Sequence, residues 1–348
     1  MHGEYKVAGG KLVVVDLQVV DGLIRDVVLS GDFFLEPDEA LGHMADAVEG
    51  LSAKAELGAI VQAVDDARGD AVMVGFDPPA VAHAVLRALG RSTAWHDHAF
   101  ELLEAGPQHP PVQMAIDEVV ARQVGDGLRG PTLRVWEWAS NAVIIGSFQS
   151  LSNEVDLAAA ARHDATVVRR ISGGGAMFVE PGNTITYSLY VPSTLVEGLS
   201  FAESYAFLDA WVVRALRELG VDASYVPLND IASPLGKIGG AAQKRLASGV
   251  VLHHVTMSYD MDAAAMLDIL RIGREKLSDK GHVSAAKRVD PIRSQTGMSR
   301  EAVVDAMLAH FRSSYGLTTV EIDERTLVDA RALAEHKYED PDWTARVP

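Results

Sequence analysis

The residues best suited to chemistry lie in 167–183, VVRRISGGGAMFVEPGN. A β-type run ends in Arg169 and Arg170, meets Gly173, Gly174 and Gly175 in succession, and then resumes as a strand. Consecutive glycines are costly to order and give a sheet nothing to pack. They suit a backbone that must approach a ligand closely and offer it N–H groups. The two arginines add forked donors for phosphate or carboxylate. A glycine bulge at a strand end, with the arginines at the sheet edge, is the competing reading. The segment is not a P-loop: no GxxxxGK[ST] exists, and Ile238 follows Lys237 where Ser or Thr would bind magnesium. Nor is there a GxGxxG, so a Rossmann dinucleotide site has no support.

A second cluster joins Asn229-Asp230 to Gly236-Lys237-Ile238-Gly239-Gly240. A lysine set among glycines can be carried by its own backbone up to an anion. There it can neutralise charge developing on a phosphoryl or acyl group. A lysine in an ordinary β-turn is the alternative. Asp230 is either a metal ligand, with Mg2+ the candidate, or a turn cap. His253 and His254 are adjacent in a strand-like run, so their imidazoles point to opposite faces and at most one meets a site. His96-Asp97-His98 has no third ligand in view and is not read as a metal motif.

Composition narrows the chemistry further. The chain has 348 residues, a net charge of −17 and no cysteine. Disulfides, Cys-ligated metals and a thiolate nucleophile are therefore excluded, and with them any acyl-thioenzyme mechanism. The acidic balance argues against nonspecific nucleic-acid binding. A local basic stretch stands out from it. Arg271, Arg274, Lys276, Lys280, Lys287, Arg288 and Arg293 face only Glu275, Asp279 and Asp290. No run nears the ~20 apolar residues of a membrane span. The first residues lack an apolar signal core, because Asp16 and Gln18 interrupt it, so a soluble, cytoplasmic protein is expected.

The elements that must position these residues follow from periodicity. In the first ninety residues, Lys11–Val20 and Leu23–Leu29 read as a hairpin turning at Asp21-Gly22. Three helices follow: one opened by Pro37, one around Ala53–Ala67, and one capped by Asp77. Gly90–His98 loses periodicity and marks a boundary, giving an α+β domain over 1–92 and a larger domain over 93–348. In the second, helices are expected over Pro111–Val124 and Phe201–Leu219. Strands are expected over Thr132–Trp138, Ala142–Phe148, Ala165–Arg170, Thr184–Val191 and Gly249–Tyr259. This is an α+β fold with a mixed β-sheet flanked by helices.

Taken in this order, the motifs resemble the lipoate–protein ligase A family, within a fold shared with biotin ligases and octanoyltransferases. The resemblance runs through Arg170-Ile171-Ser172-Gly173-Gly174-Gly175, Gly182-Asn183-Thr184, Asn229-Asp230, Gly236-Lys237-Ile238-Gly239-Gly240, His253-His254 and Glu275–Gly281. Trp136, Val143–Gly146 with Gln149, and Lys337-Tyr338 with Trp343 extend it. Residues 1–90 look like the accessory domain of these ligases, placed first rather than last. The resemblance implies a two-step reaction. ATP and lipoate (lipoic acid) or octanoate (octanoic acid), with Mg2+, form an acyl-adenylate. A lysine of an acidic lipoyl carrier domain then takes the acyl group. The carrier would be a 2-oxoacid dehydrogenase E2 or a glycine-cleavage carrier protein, docking on the basic stretch.

Carried over by residue, Lys237 would be catalytic, meeting the acyl carboxylate and the adenylate's charge. Arg170, Ser172, Gly173, Gly174, Gly175, Ala176, Met177, Phe178, Asn183, Asn229, Asp230, Gly239 and His254 would line the nucleotide and acyl-adenylate region. One departure stands out: Val179-Glu180 occupies the place where many relatives carry His-Asp. In the octanoyltransferase branch a cysteine carries the acyl group, and here there is none. Biotin ligases carry an arginine- and glycine-rich GRGRxxR loop, which is absent. A biotin–protein ligase, and a non-catalytic or half-reaction binder of lipoate or lipoylated carriers, are the remaining alternatives.

Overall fold

A computed structural model describes residues 1–7, 9–271 and 289–347. The chain divides into two compact units, 1–94 with 194–200, and 95–193 with 201–348.

The first unit opens with an antiparallel meander of β1 (His2–Lys6), β2 (Leu12–Val20) and β3 (Leu23–Gly31). Asp21 and Gly22 turn the hairpin with positive φ of 52° and 75°, which the right-handed twist of the strands favours. Alternate residues Val13, Val15 and Leu17 point into the core. A short pair, β4 (Phe34–Glu36) and β5 (Val72–Val74), joins three helices: α1 (Ala40–Val48), α2 (Leu57–Arg68) and α3 (Pro78–Ala88). The Asp77 carboxylate caps α3 by accepting from the Ala80 N–H at 2.9 Å. The first two helices begin later than periodicity indicates, at Ala40 and Leu57, each after a run of turn residues.

The second unit begins with β6 (Glu101–Glu104), β7 (Pro107–Gln108) and α4 (Pro110–Gly125). There follow β8 (Thr132–Trp138), β9 (Ala142–Ile145), α5 (Leu151–Glu154), α6 (Leu157–Arg162) and β10 (Thr166–Arg169). After the glycine loop come β11 (Met177–Val179), β12 (Thr184–Pro192) and α7 (Phe201–Glu218). Next are β13 (Ser224–Val226), β14 (Asp230–Ser233), β15 (Gly236–Arg245), β16 (Val250–Ser258) and α8 (Ala263–Ile269). The last described elements are α9 (Ile292–Thr296), α10 (Arg300–Tyr315), β17 (Thr318–Glu321), α11 (Glu324–Leu333) and α12 (Pro341–Ala345).

The main sheet runs β13-β14-β15-β16-β12-β8-β6-β17, antiparallel except where β6 pairs β8 and β17 in parallel. A small sheet, β10-β9-β11, carries the glycine loop between β10 and β11. Helix α4 lies on one face of the main sheet, and α7 packs on the other through Trp211 against Tyr187. Mixed sheets flanked by helices are the architecture expected from the sequence. Among the described residues no helix is long and apolar enough to cross a membrane.

One sequence reading changes, and another falls largely outside the described residues. The strand expected over 142–148 stops at Ile145, and beyond it the Gly174 backbone comes so close to Gly146 that a Cβ there would lie 2.2 Å from the Gly174 carbonyl oxygen. The chain turns there, and Phe148 is left exposed. Of the basic stretch, Arg271 and Arg293 are described and are paired with Asp156 and Asp260. Arg274, Lys276, Lys280, Lys287 and Arg288, with the motif 275–281, lie outside the described residues.

Candidate active site

The two clusters singled out in the sequence come together on one face of the second unit. A cavity of about 350 Å³ is lined at its polar end by Arg170, Gly175, Asn229, Lys237, Gly239 and Gly240. Its walls continue through Ala176, Met177, Phe178, Thr184 and Thr256 to an apolar end of Met261, Met266, Leu270 and Val289.

Lys237 reaches this place by a local irregularity. In β14–β15 pairing, Gly240 faces Asp230 and Lys237 faces Ala232, with the register shifting so that Ile238 is the extra residue. Without that bulge, positions 237 and 240 would point to opposite faces of the strand. With it, Lys237 shares a face with Gly240 and Asp230. Its Nζ lies 2.6 Å from Asp230 Oδ1, and the pair is half exposed, at 49% and 36%. A Cβ at Gly240 would sit 3.0 Å from Nζ, so the missing side chain is the space the ammonium occupies. The pair is partly solvated and contributes little to stability. Its effect is to hold a cation at the cavity mouth. Asn229 is fixed beside it by donating from Nδ2 to the Ala241 carbonyl at 2.6 Å.

The glycine loop is tied from within. Arg170 is buried; its Nε donates to Ser172 Oγ at 3.0 Å, and Nη2 donates to the carbonyls of Gly173 and Gly175 at 2.6 and 2.8 Å. Burial lowers its pKa to about 10, so it remains a cation at pH 7. Gly174 has φ +86°, a conformation that favours glycine. The loop thus turns carbonyls inward to Arg170 and leaves the Gly175–Phe178 segment against the cavity.

The other sequence-selected residues fall in different places. Ser172, Gly173, Gly174 and His254 are not among the lining residues; they form the layer behind it. His254 is buried, with Nε2 2.6 Å from Ser172 Oγ and Nδ1 2.7 Å from Asp117 Oδ2. Burial, outweighing Asp117, depresses its pKa and keeps it neutral near pH 7. His253 points to the opposite face, 2.7 Å from Asp209. Asn183 lies in the turn before β12, where its carbonyl accepts from the N–H groups of Tyr259 and Asp260. Arg169 is not a ligand donor: it is fully buried and donates to the carbonyls of Thr344, Gly146 and Gln149. Val179 is also fully buried, in the core with Trp136, Ala142 and Ile144. Among the described residues no group of three or more His, Asp or Glu is arranged to hold a metal.

Sequence reasoning missed Asp117 and Glu118, which lie buried in α4 within an apolar stripe. A carboxylate pair amid Ile116, Val119 and Val120 was the available signal. Glu118 accepts from Lys337 Nζ at 2.7 Å and from the Tyr338 hydroxyl, so it anchors the C-terminal segment.

Comparison with known proteins fits this geometry. Residues 109–312 match the model of the lipoyl protein ligase A/B catalytic domain. An octanoyltransferase LipM of an Exiguobacterium strain is 30% identical, covering 72% of this chain and 98% of the relative. Among solved structures, a bi-partite lipoate protein ligase from Thermoplasma acidophilum is 28% identical with a TM-score of 0.63, covering 72% of this chain and 98% of its own. A lipoate-protein ligase A bound with ATP is 25% identical with a TM-score of 0.62, covering 72% and 100%. From its motifs, its site and these matches, the chain belongs to the lipoyl protein ligase A/B catalytic domain family.

Proposed function

We propose that this protein is an ATP-dependent lipoate–protein ligase that makes an acyl-adenylate and passes the acyl group to a carrier lysine. The observation that carries the reading is a lysine held over glycine at the polar end of a cavity whose other end is apolar, in a chain with no cysteine. A similar protein is named as an octanoyltransferase. Thioester transfer of the kind implied for that branch needs a cysteine, and this chain offers none. Activation by ATP needs cations around phosphate and an apolar place for the acyl chain; Arg170 and Lys237 in the cavity lining, with Met261, Met266, Leu270 and Val289, support that reading. The methionines at its apolar end suit a flexible chain ending in soft sulfur.

In the first step a carboxylate oxygen of lipoate or octanoate attacks the α-phosphorus of ATP. The bond from that phosphorus to the bridging oxygen breaks, and pyrophosphate leaves with the electron pair. Lys237 Nζ and the donors of the glycine loop meet the charge that gathers on the phosphoryl oxygens. In the second step a carrier lysine amine attacks the acyl carbonyl, the C–O bond to AMP breaks, and the amine gives up a proton to solvent. Mg2+ would be shared between substrate phosphate oxygens and a carboxylate, for which Asp230, beside Lys237, is the candidate. Such an ion would supply charge neutralisation on the leaving pyrophosphate.

The partner is an acidic lipoyl carrier domain, matched in charge by the basic sequence from Arg271 to Arg293. The reaction would take place in the cytoplasm. Residues 1–92 are read as an accessory domain set ahead of the catalytic domain at 93–348. In support, the relatives that align nearly end to end cover only 72% of this chain. The test mixes the protein with ATP, Mg2+, lipoate and an E2 lipoyl domain and records the acceptor mass. A lipoyl mass shift that requires ATP supports the proposal. Acyl transfer from a thioester without ATP, or attachment of biotin alone, overturns it.

A further inference from the structure

Behind the glycine loop runs a chain of buried polar groups. Asp117, 3% exposed, accepts at Oδ1 from Ser188 Oγ at 2.7 Å and from the Tyr190 hydroxyl, which leaves Oδ2 for His254 Nδ1 at 2.7 Å. His254 Nε2 lies 2.6 Å from Ser172 Oγ, which also accepts from Arg170 Nε at 3.0 Å. The spacing is that of a Ser-His-Asp nucleophile triad. Ser172 has no exposed surface, however, and its oxygen already faces a guanidinium, so no substrate carbonyl reaches it.

Proton counting assigns every bond in the chain. The Arg170 Nε–H can only donate, so Ser172 Oγ accepts there. The other end of the chain sets the remaining direction. A carboxylate at Asp117 only accepts, so a neutral imidazole at His254 has its proton on Nδ1 and gives it to Asp117. Nε2 is then bare, and the serine proton goes to it. The charged and titratable groups around this imidazole are Asp117 on α4, Arg134 behind that carboxylate, Tyr190 on β12, Arg170 in the loop, and His253 beside it on β16.

We infer that Asp117 and His254 are positioning residues for the glycine loop. The carboxylate holds His254 as the Nδ1–H tautomer, and that tautomer makes Ser172 the acceptor that seats Arg170 against the Gly173 and Gly175 carbonyls. The kinetic part of this inference rests on the proposed ligase function; the structural part does not.

The test uses the full chain without ligands, then with ATP and lipoate. In Asp117→Asn the amide offers an N–H to Nδ1, so His254 moves its proton to Nε2 and both Nε2–H and Arg170 Nε–H point at Ser172. Long-range 1H–15N correlations of the imidazole should show Nδ1–H in the wild type and Nε2–H in this variant. Amide exchange over 173–176 should quicken in Asp117→Asn and in Ser172→Ala, which removes the acceptor yet leaves the carboxylate–imidazole bond. Adenylate formation should fall about 10- to 100-fold in Asp117→Asn, the loss that a misplaced site component brings. The KM for lipoate should stay within about threefold, because the cavity walls are untouched. An Nε2–H tautomer in the wild type, wild-type loop exchange in both variants, or an unchanged adenylation rate despite a flipped tautomer overturns the inference. If the wild type makes no adenylate, the ligase reading fails, while the tautomer and exchange measurements still decide this one.

Discussion

Gly239 and Gly240 are neighbours in β15, yet a methyl group on each should act through different physics. At Gly239 a Cβ would lie 2.6 Å from Met257 Cγ, 2.7 Å from the Thr256 carbonyl oxygen and 3.0 Å from Met257 Cα. The Thr256 oxygen is about 0.7 Å inside ordinary contact and belongs to the backbone of a central strand, so the sheet itself must give. Overpacking of this kind costs about 1–3 kcal/mol. At Gly240 the nearest atoms are Lys237 Nζ at 3.0 Å, Lys237 Cε at 3.3 Å and Asp230 Oδ1 at 3.4 Å. These are ends of flexible, partly exposed side chains, which move aside with a stability change within about 0.5 kcal/mol. That displacement shifts the ammonium proposed to meet the adenylate. A displacement of about 1 Å can cost ~100-fold in rate, so a shift of a few tenths should lower adenylation by roughly tenfold. Urea midpoints and ATP–pyrophosphate exchange separate the two effects. Gly239→Ala should lose stability, and Gly240→Ala should keep it and lose exchange. Equal destabilisation by both, or exchange within about twofold of wild type in Gly240→Ala, would refute the placement of Lys237.

Three further outcomes follow from buried groups. Arg169→Lys keeps a charge but loses the fork that serves the Thr344, Gly146 and Gln149 carbonyls. It should cost about 2–4 kcal/mol and open residues 340–347 to limited proteolysis. Burial raises the Glu118 pKa, but the hydrogen bonds from Lys337 and Tyr338, with the charges of Lys337 and Arg122, outweigh it and leave the carboxylate below its ordinary value. Its contribution to stability is therefore present above the unfolded carboxylate pKa and is lost as pH falls through the lower folded value. Denaturation midpoints across acid pH should show this loss in the wild type, and Glu118→Gln should lack that part of it. Val179→His would bury an imidazole in the core and should cost about 2–4 kcal/mol without tightening lipoate binding, as calorimetry and urea unfolding would show.

Much of the frame was legible in the sequence because local rules wrote it. The Asp21-Gly22 turn, the Asp77 cap and the alternating core of β2 each depend on residues close in sequence. The glycine loop and Lys237 were legible as chemistry for the same reason. What was not legible depends on distant partners. Nothing in 236–240 announces that Ile238 bulges and turns Lys237 onto the face of Gly240. Arg169 and Arg170 are adjacent, and only contacts with residues near 344 divide them into a clamp for the C-terminal segment and a support for the loop. Asp117 and Glu118 looked like interruptions of an apolar helix, because Ser188, Tyr190, His254, Lys337 and Tyr338, which donate hydrogen bonds to them, lie 71 or more residues away.

The central claim is that a chain without cysteine activates its acyl substrate with ATP. Lipoate-dependent exchange of labelled pyrophosphate into ATP, measured without any acceptor protein, tests it most directly. The expected result is exchange that requires lipoate and Mg2+ and falls about 100- to 1,000-fold in Lys237→Ala. No exchange above the level seen without lipoate, from protein that still transfers octanoyl groups from a thioester to a lipoyl domain, would contradict it.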